Sequence, residues 1–120
     1  MNVIEYLALH DEMCRRARAL TEAKGHDYSG ADDTLANLKV CEKLGICPAE
    51  KGVLVRLSDK FKRLARLVGD GAEPRVTDES VDDTILDGLN YLILLAALRK
   101  ERRDESGNDS GGDDSVGAVS

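Results

Sequence analysis

An all-α fold follows from three features of these 120 residues. Apolar residues recur at three- and four-residue spacing over long stretches, and Gly, Pro and Asp cut the chain into helix-length pieces. With one Phe, three Tyr and no Trp, a core has to be built from Leu, Val, Ile and Ala, which suits packed helices. The expected architecture is a four-helix, bundle-like domain over residues 1–103, a single domain by its length. A disordered acidic tail rich in Gly, Ser and Asp is expected over residues 104–120.

The first helix is expected over Asn2–Lys24. Ile4, Leu7, Cys14, Ala17 and Leu20 fall at helical spacing, with Arg15, Arg16 and Arg18 on other faces. Gly25 stops it, and Gly25–Asp33 reads as a loop. A second helix follows over Thr34–Leu44, with Asp33 as its N-cap and Gly45 at its end. Pro48 suits the first turn of a third helix that reaches Val68. Val53, Leu57, Phe61, Leu64 and Val68 form its core side. Gly69-Asp70-Gly71 ends it and Pro74 opposes continuation.

The fourth helix is expected from Thr77, a good cap, to Arg103. Asp78 and Glu79 occupy its first turn, where the macrodipole favours acids. Val81, Ile85, Leu89, Leu92 and Ala96 cluster on one side. The stretch Leu92–Leu98 is apolar on every side and needs neighbours all round. A chain this short buries a limited share of its surface. Together these predict a homo-dimer or homo-tetramer.

The formal charge is −6, but Asp104, Glu105, Asp109, Asp113 and Asp114 lie in the tail without a base, so the body is near neutral. Direct nucleic-acid binding through bulk positive charge is not expected. Nor is a membrane span: the apolar run Leu89–Leu98 is far shorter than the roughly 20 residues needed. No secretory leader is recognised. The three cysteines are odd in number and lack a Cys-x-x-Cys pair, which argues against a disulfide framework or zinc knuckle. Free thiols fit a cytoplasmic location, and Cys14 and Cys41, set among apolar residues, are expected in the core. His10 and His26 lack metal-ligand spacing.

The informative feature lies on the fourth helix. At about 100° per residue, Glu79, Asp83, Asp87 and Asn90 fall within an arc of about 80°, with Asp82 on the flank. The row continues into Leu94 and Ala97, so its inner end is expected to be buried. Like charges at i, i+4 repel by a few tenths of a kcal/mol when exposed, and burial raises that cost. Compensation has to come from Lys or Arg of another helix, or from a cation. Mg²⁺ takes oxygen ligands and bridges carboxylates to phosphates.

The third helix offers a basic row beside its core face: Arg56, Lys60 and Arg63, with Asp59 among them. Such a row could hold a triphosphate against a metal. The plain alternative is a solvated face with local ion pairs. The segment Lys24-Gly25-His26-Asp27-Tyr28-Ser29-Gly30 is donor-rich with one aromatic, and serves either as a base or sugar contact or as a simple interhelical turn.

Taken together, Lys24-Gly-x-Asp27-Tyr28, Asn37, Asp59-Lys60-x-x-Arg63-Leu64 and Glu79-Ser80-x-x-Asp83-Thr84-x-x-Asp87-x-x-Asn90-Tyr91 resemble a phage and bacterial family termed nucleotide-modification-associated. More distantly the chain resembles the all-α nucleoside triphosphate pyrophosphatases, MazG-like and dimeric-dUTPase-like, over about Leu20–Leu98. The resemblance implies a MazG-like fold in which helix-borne acids bind Mg²⁺, with Mn²⁺ as an alternative, and the metal activates water against the phosphate chain. Glu79 and Asp83 would be metal ligands, and Asp87 a ligand or a group supporting one. Asp59 would be the nearest acid on the preceding helix, and Asp59 or Asp87 would orient the water. Lys60 and Arg63 would hold phosphates. Lys24, Asp27, Tyr28 and Asn37 would line the nucleotide side, supported by Asn90 and Tyr91.

One departure matters. The MazG pattern carries Glu-x-x-Glu on the preceding helix, and this sequence has none. Glu79-x-x-Asp82 satisfies the second half of the pattern, so Asp82 competes with Asp83 as ligand. The expected function is Mg²⁺-dependent hydrolysis of a (deoxy)nucleoside triphosphate to the monophosphate and pyrophosphate, in phage-type nucleotide-pool metabolism. The alternatives are a non-catalytic nucleotide-binding module and a helical adaptor associated with DNA modification.

Overall fold

A computed structural model of the chain describes residues 1–27, 35–69 and 74–110, with side chains over 1–24, 35–69 and 80–107. The elements are α1 (Val3–Asp27), a 3₁₀ turn (Ala36–Lys39) running directly into α2 (Val40–Lys43), α3 (Ala49–Gly69) and α4 (Pro74–Ser110). The all-α class is the one observed, with no strand among the described residues. The loop expected around Tyr28–Gly30 and the Asp33 cap lie outside them.

α1 opens with a reciprocal cap. The Glu5 N–H donates to Asn2 Oδ1 at 2.8 Å and the Asn2 N–H donates to Glu5 Oε2 at 3.1 Å, so two otherwise orphaned donors are satisfied. The helix passes through Gly25, the expected stop, to Asp27. A single glycine in a helix interior costs only about 1 kcal/mol against alanine.

The second expected helix is a tighter corner. Leu38 N–H bonds the Leu35 carbonyl at 3.0 Å, a three-residue spacing that marks 3₁₀ winding. After one α turn, Gly45 takes φ +75°. Its N–H donates to the Glu42 carbonyl at 3.0 Å, and the Ile46 N–H donates to the Cys41 carbonyl at 2.8 Å. These two bonds make a Schellman motif, and glycine enters the left-handed region without a Cβ clash. α3 then begins after Pro48, with Ala49 N–H accepted by the Glu42 carboxylate at 3.0 Å.

α3 and α4 form the main helix pair, and they run antiparallel: Glu50 meets Arg102 while Lys60 meets Asp87. The core joins Leu35, Ala49, Val53, Leu57 and Leu98, with Leu38, Tyr91, Leu94, Leu95 and Ala97 packed against it. Val53 and Leu57 are buried as expected, but Phe61 and Val68 are exposed, at 56% and 72%, because the apolar contact with α4 is confined to the first half of α3. The face that α4 turns toward this core is also not the expected one. Of Val81, Ile85, Leu89, Leu92 and Ala96 none is buried. The packed residues Tyr91, Leu94, Leu95 and Leu98 continue the acidic stripe instead. An all-round apolar segment has no preferred rotation of its own, so its pattern alone does not decide which side faces α3.

α4 starts earlier than expected, at Pro74, whose missing N–H costs nothing in the first turn. It also continues past Arg103 to Ser110, so the first part of the segment expected as tail is helical. The Lys100–Asp104 pair at 2.8 Å supports that extension at i, i+4. α1 touches α4 alone among the described elements. Ala17 is buried there, and Asn90 Nδ2 donates to the Ala17 carbonyl at 3.1 Å. Beyond this contact the α1 stripe of Val3, Tyr6, Leu7, His10 and Cys14 is exposed. Cys14 is therefore a surface residue rather than a core one, since only the Ala17 end of its stripe is covered. Cys41 is half-buried, and all three thiols are free. Among the described residues no helix is long and apolar enough to cross a membrane.

Candidate functional site

The antiparallel register of α3 and α4 determines which predicted residues meet. One pair does so directly: Lys60 Nζ lies 3.1 Å from Asp87 Oδ2, with the side chains 29% and 31% exposed. A carboxylate drawn toward the helix interface needs a cation, and here the neighbouring helix provides it. Partial shelter strengthens this attraction beyond that of an exposed pair.

Lys60 also lines an open groove of about 330 Å³ along α3, together with Asp59, Lys62, Arg63 and Arg66. Four cationic side chains face one carboxylate, so the groove is electropositive and suits an anion. Lysine offers a point charge there and arginine a planar fork that matches two phosphate oxygens at once. The volume falls at the small end of the ~300–1,000 Å³ common for ligand sites. Lys62 and Arg66 were not foreseen. Arg66 extends the row by one more i+3 step from Arg63, a signal present in the spacing.

The acids are distributed unevenly. Asp82 and Asp83 are exposed, whereas Asp87 is half-buried. Glu79 belongs to α4, but its side chain lies outside the described residues, as does that of Asp27 on α1; Tyr28 lies outside them entirely. Among the described residues, no three His, Cys, Asp or Glu side chains stand close enough together to hold a metal ion. The donor chemistry nevertheless suits Mg²⁺. Asp83 and Asp87 share a helix face at i, i+4, both offer hard oxygen ligands, and Mg²⁺ needs only one or two carboxylates while keeping several waters.

The remaining predicted residues go elsewhere. Tyr91 packs on the α3–α4 core. Asn90 is spent on the α1 backbone. Lys24 is exposed on α1. Asn37 lines a second groove of about 400 Å³ with Arg56, Cys41 and Cys47, and no residue is common to the two grooves. The structure thus gathers Asp59, Lys60, Arg63 and Asp87 into one neighbourhood and leaves Asn37 and Arg56 in another.

A further charged cluster sits at the opposite end of the α3–α4 pair. Arg102 clasps Glu50 with two arms, one of them Nη2 to Oε1 at 2.7 Å, and also bonds Glu42. Lys39 pairs with Glu101 beside it. The Ala49 N–H and then Arg102 hold the Glu42 carboxyl below its ordinary value of 4.5. Arg102 does the same to Glu50, and its own pKa is raised in return. The cluster joins three helices, and no local sequence pattern announces it.

Compared with models of protein families, with curated proteins and with solved structures, the chain matches none.

Proposed function

We propose that this chain is a Mg²⁺-dependent nucleoside triphosphate diphosphohydrolase that converts a (deoxy)nucleoside triphosphate to the monophosphate and pyrophosphate. The observation that carries the reading is the cationic α3 groove, whose Lys60 reaches across to Asp87 of α4. In this reading Lys60 and Arg63, extended by Lys62 and Arg66, hold the phosphate chain. Asp83 and Asp87 hold the metal, with Glu79 one turn before them and Asp82 as the competing ligand. Bound Mg²⁺ would lower the pKa of a water and screen phosphate charge. Asp59, on the groove wall, orients the attacking water. Lys24, Asp27 and Tyr28 serve the nucleoside side.

The enzyme works in the cytoplasm as a dimer or tetramer. The support for assembly is the apolar surface left bare by one chain: Ile4 and Leu7 on α1, and Leu92 and Ile93 on the all-round apolar part of α4, are all exposed. A surface of this kind on several elements marks an interaction site rather than scattered apolar residues.

A second reading is a nucleotide-binding module without turnover. It is favoured by the Lys60–Asp87 pair itself, because the innermost acid of the stripe is already neutralised by the protein. Incubation with each deoxynucleoside triphosphate and Mg²⁺, followed by pyrophosphate detection, separates the two. Release of pyrophosphate that is lost in Asp87→Asn supports the hydrolase. Calorimetric binding without any release supports the module, and absence of both removes the nucleotide from the account.

A further inference from the structure

We propose that Cys41 and Cys47 form a redox-active dithiol that hydroperoxides close to an intramolecular disulfide. This inference is independent of the nucleotide reading. Its basis is the Schellman turn. That turn reverses the chain after α2, and the Cys41 carbonyl accepts not only the Ile46 N–H at 2.8 Å but also the Cys47 N–H at 3.3 Å. A direct backbone hydrogen bond brings the two residues close together, as a disulfide, whose α-carbons lie about 4.4–6.8 Å apart, requires.

Both side chains line the same open groove of about 400 Å³ and both are half-buried, so a small oxidant reaches them from solvent. The Cys41 side chain pushes the Cys47 thiol up from its ordinary value of 9.0. Cys41 Sγ is held toward the turn, 3.6 Å from the Leu38 carbonyl and 3.9 Å from the Pro48 carbonyl. On the far side it meets Gly52, where an added Cβ would stand 3.1 Å from the sulfur. A glycine at this position leaves room for the sulfur, and a larger side chain would displace it.

The chemistry balances with one hydroperoxide. The thiolate of one cysteine attacks the distal peroxide oxygen, the O–O bond breaks, and a sulfenic acid forms while the other oxygen leaves as water or an alcohol. The second thiol attacks the sulfenic sulfur, the S–S bond forms, and water departs with the thiol proton. Two thiols are oxidised and one hydroperoxide is reduced. The product is a covalent clasp across the joint between α2 and α3. Cys14, exposed on α1, has no such neighbour in the chain and is the internal control.

The test uses the full chain, treated with hydrogen peroxide, alkylated, and mapped by mass spectrometry without reduction. The expected result is joint loss of Cys41 and Cys47 from alkylation, a peptide pair linking them, and joint recovery with dithiothreitol. The link should form at least about tenfold faster in the folded chain than in denaturant, the mark of preset proximity. In Cys47→Ser, Cys41 should instead stop at a sulfenic acid that dimedone traps. Independent oxidation of the two thiols, a link from either to Cys14, or equal closure rates folded and unfolded would overturn the proposal.

Discussion

The two ends of the α3–α4 pair are built from different materials. At the Ala49–Leu98 end, Val53 and Leu57 are each 1% exposed, and the charges above them are closed into the Arg102–Glu42–Glu50 cluster. At the Lys60–Asp87 end burial lies on α4 and α1, at Thr84, Leu86 and Ala17, while Phe61 and Val68 of α3 stand in solvent, and cations outnumber acids along the groove. At the first end Arg102 closes the charges of Glu42 and Glu50 over the buried residues. Among the described residues, the second sets Lys60 on the half-buried Asp87 and gathers Lys62, Arg63 and Arg66 around Asp59. The packed side chains of α3 lie toward one end of the pair, and the cationic groove lies toward the other.

That contrast breaks most easily by truncation. Leu57→Ala should cost about 2–5 kcal/mol in urea unfolding, as full removal of a buried leucine does. Phe61→Ala, on the other end of the same helix, should stay within about 0.5 kcal/mol in a dilute single chain. Equal costs would mean that the core extends along the whole helix. Chemistry should divide the other way. Asp87→Asn, which removes a metal-holding carboxylate, should lower pyrophosphate release by about 10²–10³-fold, the scale for losing stabilisation of charge in the transition state, while leaving the melting temperature close to that of the parent chain. A variant that unfolds instead would make Asp87 structural.

Acid sharpens the comparison further. Glu42 and Glu50 are held below 4.5 in the folded chain. Between their folded values and 4.5 the unfolded chain therefore binds more protons, so stability rises with pH across that window. Their contribution is fully present above 4.5 and is lost as pH falls through the folded values. Acid titration of stability should show this slope, and Arg102→Met should flatten it in part, removing the hold on Glu50 while the Ala49 N–H still holds Glu42. The smallest effect belongs to α1: Leu7→Glu should barely change the unfolding of a single chain but should shift sedimentation toward the monomer. An unchanged assembly state would move the interface elsewhere.

Much of this fold was legible. Helical spacing and sparse aromatics identified the class, and Gly45 was placed at a helix end because only a left-handed residue closes that turn cheaply. The basic row and the acidic row were visible as spacings, and the antiparallel pairing brought Lys60 to Asp87. What was not legible depended on distant partners. The rotation of α4 could not be read from Leu92–Leu98, which is apolar on every side. The Arg102 cluster carries no signal in the sequence, since Glu42 and Glu50 lie far from Arg102 in the chain. Asn37 and Asn90 read as ligand contacts, yet one lines a separate groove and the other bonds the α1 backbone.

The proposed hydrolase requires the α3 groove to hold a triphosphate beside Asp87 of α4. Isothermal calorimetry of the full chain with deoxynucleoside triphosphates tests it most directly, with and without Mg²⁺ and against a Lys60→Ala/Arg63→Ala variant. The expected result is binding that Mg²⁺ tightens and that the double variant weakens by at least about tenfold, the scale for loss of charged phosphate contacts. Absence of binding with every nucleotide, or equal affinity in the double variant, would contradict it.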